Sequence, residues 1–366
     1  MKKAISIAFV AILLISLLLT LALPDTKVSA LENRVLQQLP NFSLSAVVSG
    51  KWMDDMESWL ADQFPGRTFF VRSKATLEYL LGKRTLGGTH LGSDGQYFEL
   101  PVEIDSERWQ GNIEQLRLFA EQHDFFFLPV YSASTFYPER LPAQVQPTNE
   151  KGLLNDLIAQ LPDRVTLIDS YEALYDHREE PIYFRTDHHW TQAGAYQAYL
   201  AYCKTLGLQA VTDYELLTGS RPFYGSLYSK APIFGAQGDE MTLYLIDRKV
   251  SVTMDLDENN RTDSLYTLSA LEEKDQYVVF LDGNHARIDI ETDAGSGKTL
   301  IVIKDSFGHA LVPFFANHYD TIIMLDLRYY NLPLSETLAA HPDADVLITY
   351  NMSWLAQDEN LAKLNR

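Results

Sequence analysis

Three short runs near the end of the chain constrain its fold more than any other feature. TLIVIKD (299–305), TIIMLDL (321–327) and DVLITY (345–350) are apolar without alternation and rich in aliphatic and β-branched residues. A run of this kind is a strand buried on both faces, as in a parallel sheet covered by helices on either side. Helical patterns separate them, at Gly308–His318 and Leu334–Ala340. The same rhythm runs upstream: a helix over 106–122, the strand FFFLPVYS (125–132), a helix over Leu153–Leu161, the strand VTLID (165–169) and a helix over Thr191–Leu206. Strands alternating with helices predict an α/β fold built from βαβ units. The rhythm fails between about 210 and 298, where MTLYLIDRKVSVTMDL and DQYVVFLDG carry polar alternation and turn residues. Those stretches predict antiparallel strands, a β-rich insertion over 210–298.

Ahead of this core the pattern is helical. Trp52, Met56, Trp59 and Leu60 share one face of a helix that Pro65-Gly66 stops, and a second helix is expected over Phe69–Leu81. This is a helical layer over 31–85. The first 30 residues are different again. Lys2 and Lys3 precede the charge-free run AISIAFVAILLISLLLTLAL, residues 4–23. Such a segment is a secretory signal. Two forms are open: cleavage after the small residues Val28-Ser29-Ala30, or retention as an anchor long enough to span a bilayer. Either form puts residues 31–366 outside the cytoplasm, secreted or held on the cell membrane.

Bulk composition narrows the function. An apolar content of 46% argues for a packed globular chain, and a net charge of −19 argues against a nucleic-acid partner and against attraction to anionic lipid surfaces. The single cysteine, Cys203, forms no internal disulfide and reads as a small core residue of a helix. ETDAGSGKT (291–299) resembles a phosphate loop but feeds a strand rather than a helix, and DLDENNRTD (255–263) lacks the glycine and closing acid of a calcium loop. No cofactor and no metal are expected.

The chemistry concentrates in RTDHHWTQAGAY, residues 185–196, where Asp187, His188, His189 and Trp190 precede a helix capped by Thr191. In extended chain Asp187 and His189 face one way and His188 the other. Ser306 follows the buried strand TLIVIKD and enters a helix, at the sheet edge where α/β proteins build sites. The start of that helix, near Phe307, offers backbone N–H groups to an oxyanion. An Asp–His pair brought to a serine is a hydrolase-type triad, with Asp187 fixing the imidazole, His189 as base and Ser306 as nucleophile. A metal site from Asp187, His188 and His285 is the competing arrangement.

TDHHWT, KDSFG and the opening LENR…LP…FPGR, in this order, resemble the DHHW family of the alginate-acetylation (AlgX/AlgJ-like) branch of SGNH-hydrolase-like proteins. The resemblance implies a three-layer α/β/α sandwich with a mainly parallel sheet. It implies acyl-serine chemistry on an exported glycan, with Asp187 and His189 as the Asp-x-His pair and Ser306 as nucleophile. An asparagine at the end of a later strand would then be an oxyanion donor, which is the location of Asn351. Arg328 would lie on the same edge as a substrate-binding candidate, with His188 and Trp190 structural beside the site. The expected function is serine-dependent O-acyl transfer, O-acetyl above all, from an acyl donor to a cell-surface polysaccharide, with a membrane acyl-transfer protein as a candidate partner. A carbohydrate esterase with the same triad and a non-catalytic surface-assembly protein are the alternatives.

Overall fold

The computed structural model describes residues 2–366, which form two compact units. One runs up to Gly88 and includes Tyr228–Ala236; the other comprises Thr89–Leu227 and Gln237–Arg366.

The first unit contains three long helices, α1 (Lys2–Ala22), α2 (Lys51–Asp62) and α3 (Arg67–Leu80). Among the described residues, the segment Lys3–Ala22 of α1 is the one helix long and apolar enough to cross a membrane. Gly66, at φ 75°, turns the chain from α2 into α3 in a left-handed conformation that suits glycine. The chain that leaves α1 is tied to the end of α2. Asp25 accepts hydrogen bonds from Trp59 Nε1 at 2.9 Å and Leu39 N at 2.8 Å. Gln63 accepts from Thr26 N at 2.8 Å and donates to Thr26 O at 3.0 Å.

The second unit is built on an eight-stranded sheet: β1 (Phe125–Val130), β2 (Val165–Leu167), β3 (Val250–Met254), β4 (Arg261–Thr262), β5 (Arg287–Thr292), β6 (Thr299–Lys304), β7 (Thr321–Leu325) and β8 (Asp345–Asn351). Their order across the sheet is β4-β3-β5-β7-β6-β8-β1-β2. The five strands from β7 to β2 are parallel, and β5, β3 and β4 extend the sheet antiparallel. The unit's long helices are α4 (Ser106–Gln122), α5 (Glu150–Ile158), α6 (Gln192–Leu206), α7 (Gly308–Phe315) and α8 (Leu334–Ala340). The step β6–α7–β7 moves one way along the sheet, and β7–α8–β8 moves back past β6. Right-handed crossovers therefore put α7 and α8 on opposite faces. Contacts agree: α6 packs on α7, while α4 and α8 meet at the carboxyl-terminal turn Leu361–Asn365. The result is the expected three-layer sandwich. Burial on both faces explains the unbroken apolar runs, with Leu300, Ile301, Val302 and Ile303 all fully buried.

Chain order reverses at the centre of the parallel region, since β1 leads outward to β2 while β6 leads the other way to β7. The carboxyl ends of β6, β8 and β1 meet at this switch point, where a crevice forms between diverging connections.

The insertion corrects the sequence reading in one place. DQYVVFLDG is not a strand: Gln276–Val279 is a 3₁₀ turn, and Leu281 and Asp282 take left-handed φ of 56° and 58°. Val279, Phe280 and Leu281 are buried in succession, which a strand with one face in water cannot achieve. The stretch Thr242–Leu245 pairs with Glu215–Thr218 in a separate two-stranded ribbon, whereas Val250–Met254 joins the main sheet. Helix α7 is also shorter than expected. Past Phe315 the chain tightens, with Asn317 N bonding to Phe314 O and His318 N to Phe315 O.

Under the site the sheet buries an ion pair. Lys304 at the end of β6 and Asp326 just past β7 are 1% and 0% exposed at their side chains and 2.8 Å apart. Replacing Asp326 with Ala strands a buried ammonium and should cost about 3–5 kcal/mol. The double variant Lys304→Met, Asp326→Leu removes the stranded ammonium but still leaves Arg328 without its carboxylate, so it should regain part of the loss. Denaturant unfolding of both measures this, and an equal loss in both would show that the pair is not the source.

Candidate active site

The loop before α6 is closed at its base. Tyr183 and Trp190 form an isolated antiparallel bridge, and Thr191 N donates to Ile182 O at 3.0 Å. Inside the loop the half-buried Asp239 carboxylate accepts from Arg185 N at 2.8 Å, Thr186 N at 2.9 Å and Thr186 Oγ1 at 2.6 Å. Thr191 then caps α6 by accepting from Gly194 N at 3.2 Å.

Within this frame Asp187 and His189 meet, but not by strand alternation. The segment is a bend, and Asp187 Oδ1 accepts from His189 N at 3.0 Å as well as lying 2.6 Å from His189 Nδ1. This is an Asx-type turn, in which a short carboxylate bonds backbone two residues on. The same bend keeps His188 close: its ring centroid is 3.8 Å from that of His189. His188 Nδ1 lies 2.9 Å from Ser226 Oγ, and its ring stacks on Trp354. The expectation that His188 faces away is therefore corrected. The other oxygen of Asp187 accepts from Ser226 N at 2.7 Å. That approach needs Gly225, where a Cβ would sit 2.3 Å from Asp187 Cβ.

Ser306 follows β6 and Asp305. Its Oγ is 2.7 Å from His189 Nε2. Asp305 Oδ1 accepts from Phe307 N at 2.9 Å and Oδ2 from Asn351 N at 2.7 Å, so one carboxylate ties the serine turn to the end of β8. Trp190 Nε1 donates to Phe307 O at 3.0 Å, joining the histidine loop to the same turn. Tyr277 lies flat on His189, with ring centroids 3.8 Å apart and planes 7° from parallel, and its hydroxyl donates to Ser306 O at 3.1 Å.

The electrostatics suit a neutral base. Burial, assisted by His188, pushes the His189 imidazole down to about 4 against the pull of Asp187. Burial alone would raise Asp187, but the two histidines and the Ser226 N–H hold its carboxyl well below the usual range. An ionised Asp187 accepts a hydrogen bond from Nδ1–H and so keeps the proton on that nitrogen, which leaves the Nε2 lone pair for Ser306 Oγ–H. Burial lifts Asp305 to about 6, opposed by the N–H groups of Asn351 and Phe307.

The structure thus brings Asp187, His189 and Ser306 together, with His188, Trp190 and Phe307 packed around them. Other expected roles meet obstacles. The Phe307 N–H is committed to Asp305 and is not open to an oxyanion. Arg328 closes its guanidinium on Asp326, at 2.8 and 2.6 Å. Asn351 donates one side-chain amide hydrogen to Ser132 Oγ at 3.0 Å and accepts from Trp354 N. Its second amide hydrogen has no protein acceptor among the described residues. Asp187, His188 and His189 could between them hold a metal ion, but both nitrogens of His189 are engaged by Asp187 and Ser306. His285 is not of this group; it bonds Asp255 at 2.8 Å. Cys203 is buried in α6, and burial raises its thiol to about 11.

Sequence reasoning missed Tyr277, Gly225, Ser226 and the tie through Asp305. Asp305 could have been found, as it adjoins the serine. Nothing in local sequence marks Tyr277, which reaches the site through an insertion.

His189 should stay neutral as pH falls past the ordinary imidazole value near 6.5. It should gain its proton only near pH 4, because burial penalises the charged form. Nuclear magnetic resonance titration of the ring carbons reads this, and a midpoint at or above 6.5 would overturn the stated balance.

Residues 143–325, half of the chain, match the family model described as DHHW protein. Among solved structures, a DHHW family protein from Eubacterium siraeum is 26% identical with a TM-score of 0.66, covering 76% of this chain and 95% of its own. Bacillus cereus PatB1 is 22% identical with a TM-score of 0.64, covering 75% and 98%, which is a likeness of fold. No curated protein matches the sequence. With half of its length under the family match and the loop Asp187-His188-His189-Trp190 at the centre of its site, the chain belongs to the DHHW family.

Proposed function

We propose that this protein is an extracytoplasmic, serine-dependent O-acyltransferase, O-acetyl in the first instance, that modifies a cell-surface polysaccharide. One observation carries the reading: the buried relay from Asp187 through His189 to Ser306, with contacts of 2.6 and 2.7 Å at the carboxyl edge of a parallel sheet. In the first half-reaction Ser306 Oγ attacks the carbonyl carbon of an acyl ester while His189 Nε2 takes the hydroxyl proton. Asp187 steadies the imidazolium. Collapse of the tetrahedral intermediate breaks the bond to the leaving oxygen, which receives the proton from His189. In the second half-reaction a sugar hydroxyl gives its proton to His189 and attacks acyl-Ser306, and the returned proton restores the serine. The unpaired Nδ2–H of Asn351 is our choice of oxyanion donor, since the Phe307 N–H is occupied. Helix α1 supports placement outside the cytoplasm, with the chain kept on the membrane by that helix.

The acceptor reading is supported by one exposed aromatic. Trp59, Trp109 and Trp190 are buried, but Trp354 is 45% exposed and stacks on His188 beside the relay. A flat exposed indole stacked on His188 suits the apolar face of a sugar ring. The esterase alternative uses the same first half-reaction with water as acceptor.

PatB1 has been solved with a sulfonyl adduct, which suggests the probe. A sulfonyl fluoride should label Ser306, and both Ser306→Ala and His189→Ala should lose labelling and turnover of a chromogenic acetyl ester while remaining folded. Incubation with glycan oligosaccharides should then yield acetylated glycan. Free acetate alone would favour the esterase, and a chain inert to probe and ester would leave an assembly role.

Trp354→Ala should raise KM for the glycan acceptor by about 10-fold, the loss of roughly 1–2 kcal/mol of stacking. Hydrolysis of the small ester should be nearly unchanged. A uniform fall in both activities would assign Trp354 to support of His188 instead.

A further inference from the structure

Helix α3 in the first unit is amphipathic with its apolar side outward. Phe70, Leu77 and Leu81 lie at helical spacing on one face and are 55%, 58% and 78% exposed, with Phe69 and Leu80 at its margin at 61% and 75%. The face toward the unit carries buried Ala75 and half-buried Arg72 and Glu78. A helix in water does the reverse. Lys74, on the outer face, has the long stem and charged head that suit a boundary between apolar and polar media. Phe42, Leu44 and Val48, ahead of α2, are also largely exposed.

Two further facts say what covers this face. First, it is tethered to α1, the helix long and apolar enough to cross a membrane. Asp25, bonded to Trp59, lies three residues past the end of α1, a reach of at most about 10 Å. Gln63, two residues before the Pro65-Gly66 turn into α3, is bonded to Thr26. The start of α3 is thereby held at headgroup depth when α1 spans the bilayer. Second, charge is partitioned. Residues 1–88 with 228–236 hold 11 Lys and Arg against 7 Asp and Glu, a net of +4, or +2 without Lys2 and Lys3, which precede the apolar span; the other unit holds −23 of the −19 total. The net charge that argues against an anionic surface belongs entirely to the other unit. The net charge of the first does not repel an acidic leaflet.

We propose that α3 is an interfacial membrane helix, with Phe69, Phe70, Leu77, Leu80 and Leu81 seated in the headgroup–acyl boundary of an anionic phospholipid leaflet. This rests on the reading that α1 stays in the chain and spans the membrane. The helix then gives the first unit a second contact with the bilayer, so that it lies on the surface instead of swinging from a single tether.

The test uses the full chain in vesicles of phosphatidylcholine and phosphatidylglycerol. Single cysteines replace Phe70, Leu81, Leu18 in α1, and Glu258 as an exposed site in the other unit, each carrying an environment-sensitive fluorophore. Cys203 is buried and takes none. Labels at Phe70→Cys and Leu81→Cys should shift to the blue and be quenched by lipids with a shallow nitroxide, with Leu18→Cys quenched by a deep one and Glu258→Cys by neither. Quenching at Leu18 without quenching at Phe70 and Leu81 overturns the interfacial contact and leaves the anchor. No quenching at any site overturns both. A Phe70 label shielded from water in native membranes but unquenched by lipid gives the face to a protein partner, and the proposal fails.

Discussion

The Asp187 carboxylate is the contact on which the site depends. It is buried and ionised, and such a group persists only when hydrogen bonds replace its water. Three donors do so: the backbone N–H and Nδ1–H of His189 on one oxygen, and the Ser226 N–H on the other. Each bond also positions something. The first bends the loop, the second selects the tautomer that leaves Nε2 to face Ser306, and the third brings the segment Gly225-Ser226 against the loop. Gly225 is required there because any side chain would occupy the carboxylate's space.

A second carboxylate does comparable work under Ser306. Asp305 spans from the Phe307 N–H to the Asn351 N–H, so the turn after β6 and the end of β8 move as one piece. Lys304 precedes it, paired with Asp326 and bonded to His309 at 2.6 Å. Burying charge so close to Ser306 costs desolvation energy. The return is rigidity: Ser306 and Asn351 are set by adjacent strands whose ends are pinned, and not by a mobile loop. The same bonds remove the Phe307 N–H from the list of oxyanion donors.

Much of this was legible in the sequence where periodicity is local. The parallel strands announced themselves as unbroken apolar runs because both sheet faces are covered, and Thr191 marks the start of α6 by chemistry that acts within one turn. The stretch DQYVVFLDG misled because three successive buried side chains look like a strand until the tertiary structure shows them packed in a turn. His188 misled because alternation assumes extended chain, and an Asx turn replaced it. Tyr277 was invisible, since stacking on His189 is a contact between segments 88 positions apart.

The sequence by itself determined the layered α/β class, the apolar membrane-length helix at the amino terminus, and the residue types available for acyl chemistry, because each depends on the order of neighbours along the chain. Only the tertiary structure decided that His188 stays against His189 instead of facing away, that Asn351 keeps an amide hydrogen while Phe307 does not, and that the apolar stripe of α3 faces outward. Those outcomes depend on distances between remote segments and on which groups lose their water, and both are set when the chain closes on itself.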